Sequence, residues 1–186
     1  MIETDIIIIG AGPVGLFTVF EAGLLKLHCH LIDALPKPGG QCSEIYPKKP
    51  IYDIPGIPEI LAGDLINNLL KQIEPFKPGF TLGDPAIDIE ETTDNQFIVT
   101  TKEGIKHKAP NIAIAGGLGV FIPRKPPVPE LKQFEGKGVE YIIKDPEDYR
   151  GKNVVISGGG DTALDWAIFL ADGVAEKVTL IHRSQS

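Results

Sequence analysis

Asp5-Ile6-Ile7-Ile8-Ile9-Gly10-Ala11-Gly12-Pro13-Val14-Gly15 is the stretch that decides the fold. Asp5 to Ile9 is a short run of branched apolar residues, the composition of a parallel strand buried on both faces. It passes directly into Gly10-x-Gly12-x-x-Gly15 and then into a helical pattern from Leu16 to Leu25, with no polar break. In that order each glycine has a mechanical task. Gly10 permits the tight turn, Gly12 lets the backbone approach a pyrophosphate, and Gly15 lets the helix lie close to the strand. The helix start, with Pro13 inside the motif, offers unpaired N–H groups and a positive dipole end to phosphate oxygens. A second apolar stretch, His28 to Ile32, ends in Asp33, a carboxylate about twenty residues beyond the glycines, where ribose hydroxyls are expected. The chain begins by building a dinucleotide site.

The same grammar returns near the other end. A strand from Asn153 to Ser157 leads into Gly158-Gly159-Gly160-Asp161-Thr162-Ala163 and a helical pattern from Leu164 to Ala171. Gly158-x-Gly160-x-x-Ala163 is the fingerprint with alanine in third place, an accepted variant. The next strand, Lys177 to Ile181, ends in His182-Arg183 instead of an acid. An acid there would repel a ribose 2′-phosphate, whereas a guanidinium pairs with it in two-pronged geometry. Two unlike ligands follow: a resident FAD at the first site, and an exchanging NADPH at the second.

Between the fingerprints, Ala34 to Pro58 reads as a Pro- and Gly-rich loop, long enough to be functional. Its Pro38-Gly39-Gly40-Gln41 brings flexible backbone and an amide near the strand end where a cofactor would lie. Ala62 to Ile73 carries leucine and isoleucine at 61, 65, 66, 69, 70 and 73, one apolar helical stripe. From Phe80 the period becomes two: Ala86-Ile87-Asp88-Ile89, Phe97 to Thr100 and Ile105 to Lys108 predict a small antiparallel meander. Asn111 to Ala115 is another short strand, ending at Gly116-Gly117-x-Gly119. Phe121 to Pro129, with four prolines, reads as a linker. The expected division is an FAD-binding domain at 1–118, a linker at 119–129 and an NADP-binding domain at 130–186.

The chain has 186 residues, 42% of them hydrophobic and 23% charged, ordinary values for a packed α/β protein. A net charge of -7 argues against a general nucleic-acid binder. The two cysteines, Cys29 and Cys42, form neither a C-x-x-C nor a zinc spacing, and read as reduced thiols of a cytoplasmic protein. No stretch reaches the roughly eighteen apolar residues of a membrane span. The start lacks the marks of a secretion signal, so Met1 is expected to begin the folded domain.

Taken together, Gly10 to Gly15, Gly39-Gly40-Gln41, the run Tyr46-Pro47-Lys48-Lys49-Pro50-Ile51-Tyr52-Asp53-Ile54-Pro55-Gly56, and Gly158 to Ala163 with His182-Arg183 resemble the thioredoxin-reductase-like ferredoxin-NADP reductases, within the pyridine nucleotide-disulfide oxidoreductase superfamily. The resemblance runs from about Thr4 to the last residue, and the Tyr-Pro-x-Lys-x-Ile-Tyr-Asp run is its most specific part. It implies two Rossmann-like three-layer domains, the first holding the meander and the second truncated. Thioredoxin reductases keep a C-x-x-C pair in the second domain. Here the corresponding interval, Glu140 to Asp145, has no cysteine, as in the ferredoxin reductases.

The resemblance further implies FAD contacts at Asp33 with the adenosine ribose, Gln41 on the flavin side and Tyr46 near the isoalloxazine. It places backbone of Ala86 near the adenine and Phe121 at the domain junction. At the second site it implies NADPH contacts at Gly158, Gly160, Asp161, Thr162, His182 and Arg183. No side chain is expected to act as an acid or base, and no metal is expected. The implied activity is electron transfer between NADPH and ferredoxin by a homodimer, with Lys48-Lys49 and Arg124-Lys125 as candidate docking cations. A reductase of the same cofactors acting on oxygen, free flavin, quinone or iron, and a non-catalytic nucleotide sensor, are the alternatives. Family members are nearly twice this length, so the 186 residues by themselves are expected to be inactive.

Overall fold

A computed structural model describes residues 1–119, 125–143 and 145–183. The chain divides into two compact units, Met1–Tyr141 and Ile142–Ser186. In the first, strand β1 (Ile2–Glu3) is followed by β2 (Ile6–Ile9), helix α1 (Pro13–Leu24), β3 (Cys29–Asp33), α2 (Gln41–Glu44), β4 (Pro50–Ile51), β5 (Ile60–Leu61) and α3 (Ala62–Ile73). Then come β6 (Gly79–Leu82), β7 (Ala86–Glu91), β8 (Phe97–Thr101), β9 (Lys106–Ala109) and β10 (Asn111–Ile114). Strands β10, β2, β3 and β6 form a parallel sheet in that order, and β1, β9, β8 and β7 form a second sheet. The second sheet is the expected meander, with β1 added in parallel to β9.

The isoleucine run works because both of its faces are covered. Ile8 packs with Leu16, Val19 and Ala22 of α1 and with Leu65, Ile66, Leu69 and Ile73 of α3. Ile7, its neighbour on the opposite face, packs with Ile32, Val99 and Ala109 between the two sheets. Each fully buried isoleucine contributes about 1.5–3 kcal/mol, so one strand ties three layers together. The apolar stripe of α3 is as expected at 65, 66, 69 and 73. Leu61 instead lies in β5 and is exposed.

Two elements depart from the sequence reading. The expected loop 34–58 contains α2 and β4, and β4 pairs with β5. Gly39 and Gly40 both take positive φ, at 116° and 58°, which turns the chain so that Ser43 and Glu44 donate their N–H groups to the Gly40 carbonyl. Residues from Phe80 onward do not all belong to the meander: β6 pairs in parallel with β3 in the first sheet. Alternation with period two marks a strand but not the sheet it joins.

The inter-sheet layer also buries polar groups. His107 and Thr101 are fully buried, and His30, Thr81 and Asp84 are nearly so.

The second unit contains β11 (Asn153–Ser157), α4 (Asp161–Ala171) and β12 (Lys177–Ile181). The two strands are parallel and in register from Asn153 with Lys177 to Ser157 with Ile181. Residues 125–141 belong to the first unit and carry a local cluster. Lys125 Nζ donates to both Glu135 oxygens at 2.8 and 2.9 Å, and the Tyr141 hydroxyl donates to the same carboxylate at 2.8 Å.

Candidate functional site

The opening fingerprint is built as the glycines require. Gly10 has φ 107°, and a side chain there would run into the Ala115 carbonyl at the end of β10. A side chain at Gly15 would meet the Gly10 carbonyl, so only a bare α-carbon lets α1 lie this close to β2. At Gly12 an added carbon would have open space around it. Gly12 caps α1 with Pro13 in the first turn, and the Leu16 N–H donates to the Gly12 carbonyl at 2.9 Å. No acid stands in that first turn. The N–H groups of Val14 and Gly15 lie ahead of the intrahelical ladder, the arrangement that binds phosphate.

Asp33, the last residue of β3, closes over this turn. Its Oδ2 accepts the Ala11 N–H at 2.6 Å and its Oδ1 accepts the Leu35 N–H at 2.8 Å. Each oxygen retains a second lone pair for a ribose hydroxyl. The bond to Ala11 was not legible in the sequence, because nothing in the spacing shows the turn folding back on the acid. The long connection also returns to the turn: Gly39 N–H donates to the Ala11 carbonyl at 2.7 Å. A β-carbon on Gly40 would lie 3.2 Å from the Gly12 α-carbon. Glycines 39 and 40 are therefore needed for the two backbones to meet.

Gln41 opens α2 immediately beyond this contact. Cys42 is buried in the same helix, and its burial raises the thiol pKa. Tyr46, one turn on, packs on the main core, and its hydroxyl is pushed up first by burial and then by Cys42. Tyr46, Lys49, Pro50, Ile51, Tyr52 and Asp53 line an open cleft of about 470 Å³. A second cleft of about 320 Å³ is lined by Ile9, Ala86 to Ile89 and Ile114. Ala86 thus shares a cleft with the residue preceding Gly10. Phe121 lies outside the described residues.

In the second unit, Gly158 N–H donates to the Ile181 carbonyl at 3.0 Å, which joins the glycine turn to the end of β12. The His182 ring lies against Gly159, where any side chain would collide with it. Gly160 has open space and caps α4, whose first two residues are Asp161 and Thr162. Asp161 places a carboxylate at the positive end of the helix dipole, so a phosphate there depends on the N–H groups and on Arg183. Arg183 is the second residue after β12 and is exposed. The geometry brings His182 to the glycine turn. Among the described residues no group of His, Cys, Asp and Glu could hold a metal, and no helix is long and apolar enough to cross a membrane.

Both units therefore show a strand, a glycine turn and a helix start, with a second strand delivering an acid in one and a base in the other. The family model of pyridine nucleotide-disulphide oxidoreductases matches residues 4–186. The chain belongs to that family. Within it, the chain is 72% identical over 183 residues to ferredoxin--NADP reductase 1 of Christiangramia forsetii, covering 98% of this chain and 52% of that protein. It is 66% identical over 183 residues to ferredoxin--NADP reductase of Flavobacterium johnsoniae, with coverage of 98% and 52%. The chain spans about half the length of the curated relatives it matches. In fold it is similar to thioredoxin reductase of Lactococcus lactis, with a TM-score of 0.78 at 24% identity over 98% of this chain and 57% of that one. The chain thus shares the α/β fold of that thioredoxin reductase.

Proposed function

We propose that the first unit holds FAD, that the second receives NADPH, and that the whole protein passes electrons between NADPH and a ferredoxin. Gly10, Gly12, Pro13 and Gly15 would hold the pyrophosphate, Asp33 the ribose, Ala86 the adenine side and Gln41 and Tyr46 the flavin side. Phe121 is assigned to the same cofactor from the resemblance. Gly158, Gly160, Asp161, Thr162, His182 and Arg183 would hold NADPH. The Gly12 cradle fits such a group, because there is open space beside Gly12 at the cap of α1, where helix N–H groups are unpaired. Bound there, FAD would supply two-electron exchange with nicotinamide and one-electron exchange with an iron–sulfur protein.

The observation that carries the reading is the contrast between Asp33 and Arg183 at equivalent strand ends, in a chain whose two thiols, Cys29 and Cys42, are both free and buried. A dithiol relay needs two thiols that can reach one another. The Cys29 thiol is pushed up to about 11, chiefly by burial, which leaves it protonated at neutral pH. The same reading takes a homodimer as the assembly and the cytoplasm as the location.

The test is an absorption spectrum of the full-length protein before and after anaerobic NADPH, followed by turnover with ferredoxin against ferricyanide and oxygen. A flavin spectrum bleached by NADPH, with ferredoxin the preferred acceptor, is expected. Colourless protein would refute the reading. Arg183→Ala is expected to raise KM for NADPH about tenfold to a hundredfold, the loss of a charge-assisted hydrogen-bond pair. KM for NADH should stay unchanged, and an equal rise for both coenzymes would remove the 2′-phosphate role.

Of the basic residues suggested for docking, Lys125 is held by Glu135 and lies over the Tyr141 ring. Arg124 lies outside the described residues. Lys49 lines the cleft beside Tyr46 and Tyr52. Charge reversal at Lys48 and Lys49 is expected to raise KM for ferredoxin about twofold to fivefold and flatten its salt dependence, as measured by turnover over a salt series.

A further inference from the structure

The polar layer between the two sheets is a chain of hydrogen bonds with three of its members identified by distance. His30 Nε2 lies 2.8 Å from Thr81 Oγ1, and Thr81 Oγ1 lies 2.9 Å from His107 Nε2. His30 is on β3, Thr81 on β6 and His107 on β9, so the chain passes from the parallel sheet into the meander. The two rings are 4.7 Å apart between centroids. Among the described residues, the buried side-chain atoms with no hydrogen-bond partner are His107 Nδ1 and Asp84 Oδ2.

Thr81 has one hydroxyl proton, so it donates to one histidine and accepts from the other. One imidazole therefore carries its proton on Nε2 and the other presents a bare Nε2 to the Thr81 hydroxyl. His30 Nδ1 lies against Gly79, where any side chain would collide with the ring.

This chain is attached to the nucleotide side of the first unit. Asp84 N–H donates to the Asp33 carbonyl at 3.2 Å, and Gly83 N–H donates to the Leu35 carbonyl at 2.8 Å. Asp84 Oδ1 accepts the Glu103 N–H at 3.0 Å. The turn before Ala86 thus follows directly on β6, which carries Thr81, and is hung on the backbone around Asp33. We propose that His30, Thr81, His107 and Asp84 are positioning residues for the adenosine end of the flavin site, the two histidines joined through the single Thr81 hydroxyl, which donates to one imidazole Nε2 and accepts from the other. The proposal rests on the reading of the first unit as an FAD site.

Charges that act on the chain have one consistent effect. His30 faces His107, and the Asp84 carboxylate and the Met1 amino group act on His107 in opposite senses, the first raising its pKa and the second lowering it. A proton added to His30 would put a cation beside the second ring in a water-excluded layer. Acid therefore opens the seam, and the Asp33 side of the site loosens with it.

Two measurements test this on the flavin-loaded full-length protein. Imidazole 15N spectra at pH 7, assigned through the backbone, should show one of His30 and His107 protonated on Nε2 and the other on Nδ1; the same tautomer in both would overturn the chain. Thr81→Val is expected to release FAD on the order of tenfold faster, since it strands one buried donor and one acceptor, and Thr81→Ser should restore the wild-type rate. In the wild type, release should accelerate as pH falls below 6.5. His30→Gln keeps an Nε2 donor but cannot titrate, and should lose the larger part of that acceleration. A wild-type release rate in Thr81→Val, or an unchanged acid profile in His30→Gln, would sink the proposal. Absence of bound flavin at every pH would refute the functional reading instead, and the tautomer spectra would still decide the chain by themselves.

Discussion

Gly12→Ala will weaken FAD binding on the order of a hundredfold while leaving the flavin-free protein close to wild-type stability. The two effects separate because the glycine has an ordinary φ of -73° and open space where a β-carbon would stand. As the N-cap of α1, alanine is poorer than glycine by a fraction of a kcal/mol to about 1 kcal/mol. Reduced freedom of the unfolded chain returns about 0.4–1 kcal/mol. The folded apo protein should therefore shift by less than about 1 kcal/mol. With ligand present, the methyl group occupies the space a pyrophosphate needs, and overpacking of that kind costs about 1–3 kcal/mol. Gly15→Ala should do the reverse. Its β-carbon meets the Gly10 carbonyl, so the apo protein itself should lose about 3 kcal/mol. Urea midpoints of the apo proteins and flavin titrations distinguish the cases. Equal flavin affinity in wild type and Gly12→Ala would remove the phosphate role of the opening turn.

Acid will destabilise the first unit, and most of the loss should come from one histidine. Burial, with a smaller contribution from His107, pushes His30 down to about 4 from an ordinary 6.5. The unfolded chain takes up that proton at the higher pH and the folded chain resists it, so the unfolded state binds more protons between the two values. Stability is complete above pH 6.5, falls as pH drops, and stops falling from this source below about pH 4. The shift corresponds to about 3 kcal/mol across the window. His107 is lowered in the same direction, again chiefly by burial, and adds to the loss. Urea midpoints measured from pH 7 to pH 4 check this. His30→Gln should flatten the slope, and a variant with the wild-type slope would show that the acid sensitivity lies elsewhere.

Much of this molecule was legible beforehand, for specific reasons. The Ile6–Ile9 run, the two glycine turns and the α3 stripe each combine a period with a turn or a cap, and such combinations admit one local structure. The short strands β1 and β4 had too few residues to show a period, and the alternation from Phe80 did not show which sheet β6 joins. Gly39-Gly40 was readable as flexible backbone near the cofactor, but its bond to the Ala11 carbonyl was not. The acid at 33 was readable as a strand-end carboxylate, whereas its grip on the Ala11 N–H depends on how the turn closes.

Sequence alone determined the chemistry available at each strand end: glycines where no side chain fits, an aspartate at 33 and an arginine at 183, with no C-x-x-C pair between the fingerprints. Those are properties of residue identity and near-neighbour spacing, which a chain carries before it folds. Tertiary structure decided which groups meet across long separations. His30, Thr81 and His107 are read singly as polar residues in apolar strands, yet the stacking of two sheets turns them into one buried seam. Burial then holds both histidines below their ordinary pKa, because a layer closed to water disfavours an added charge.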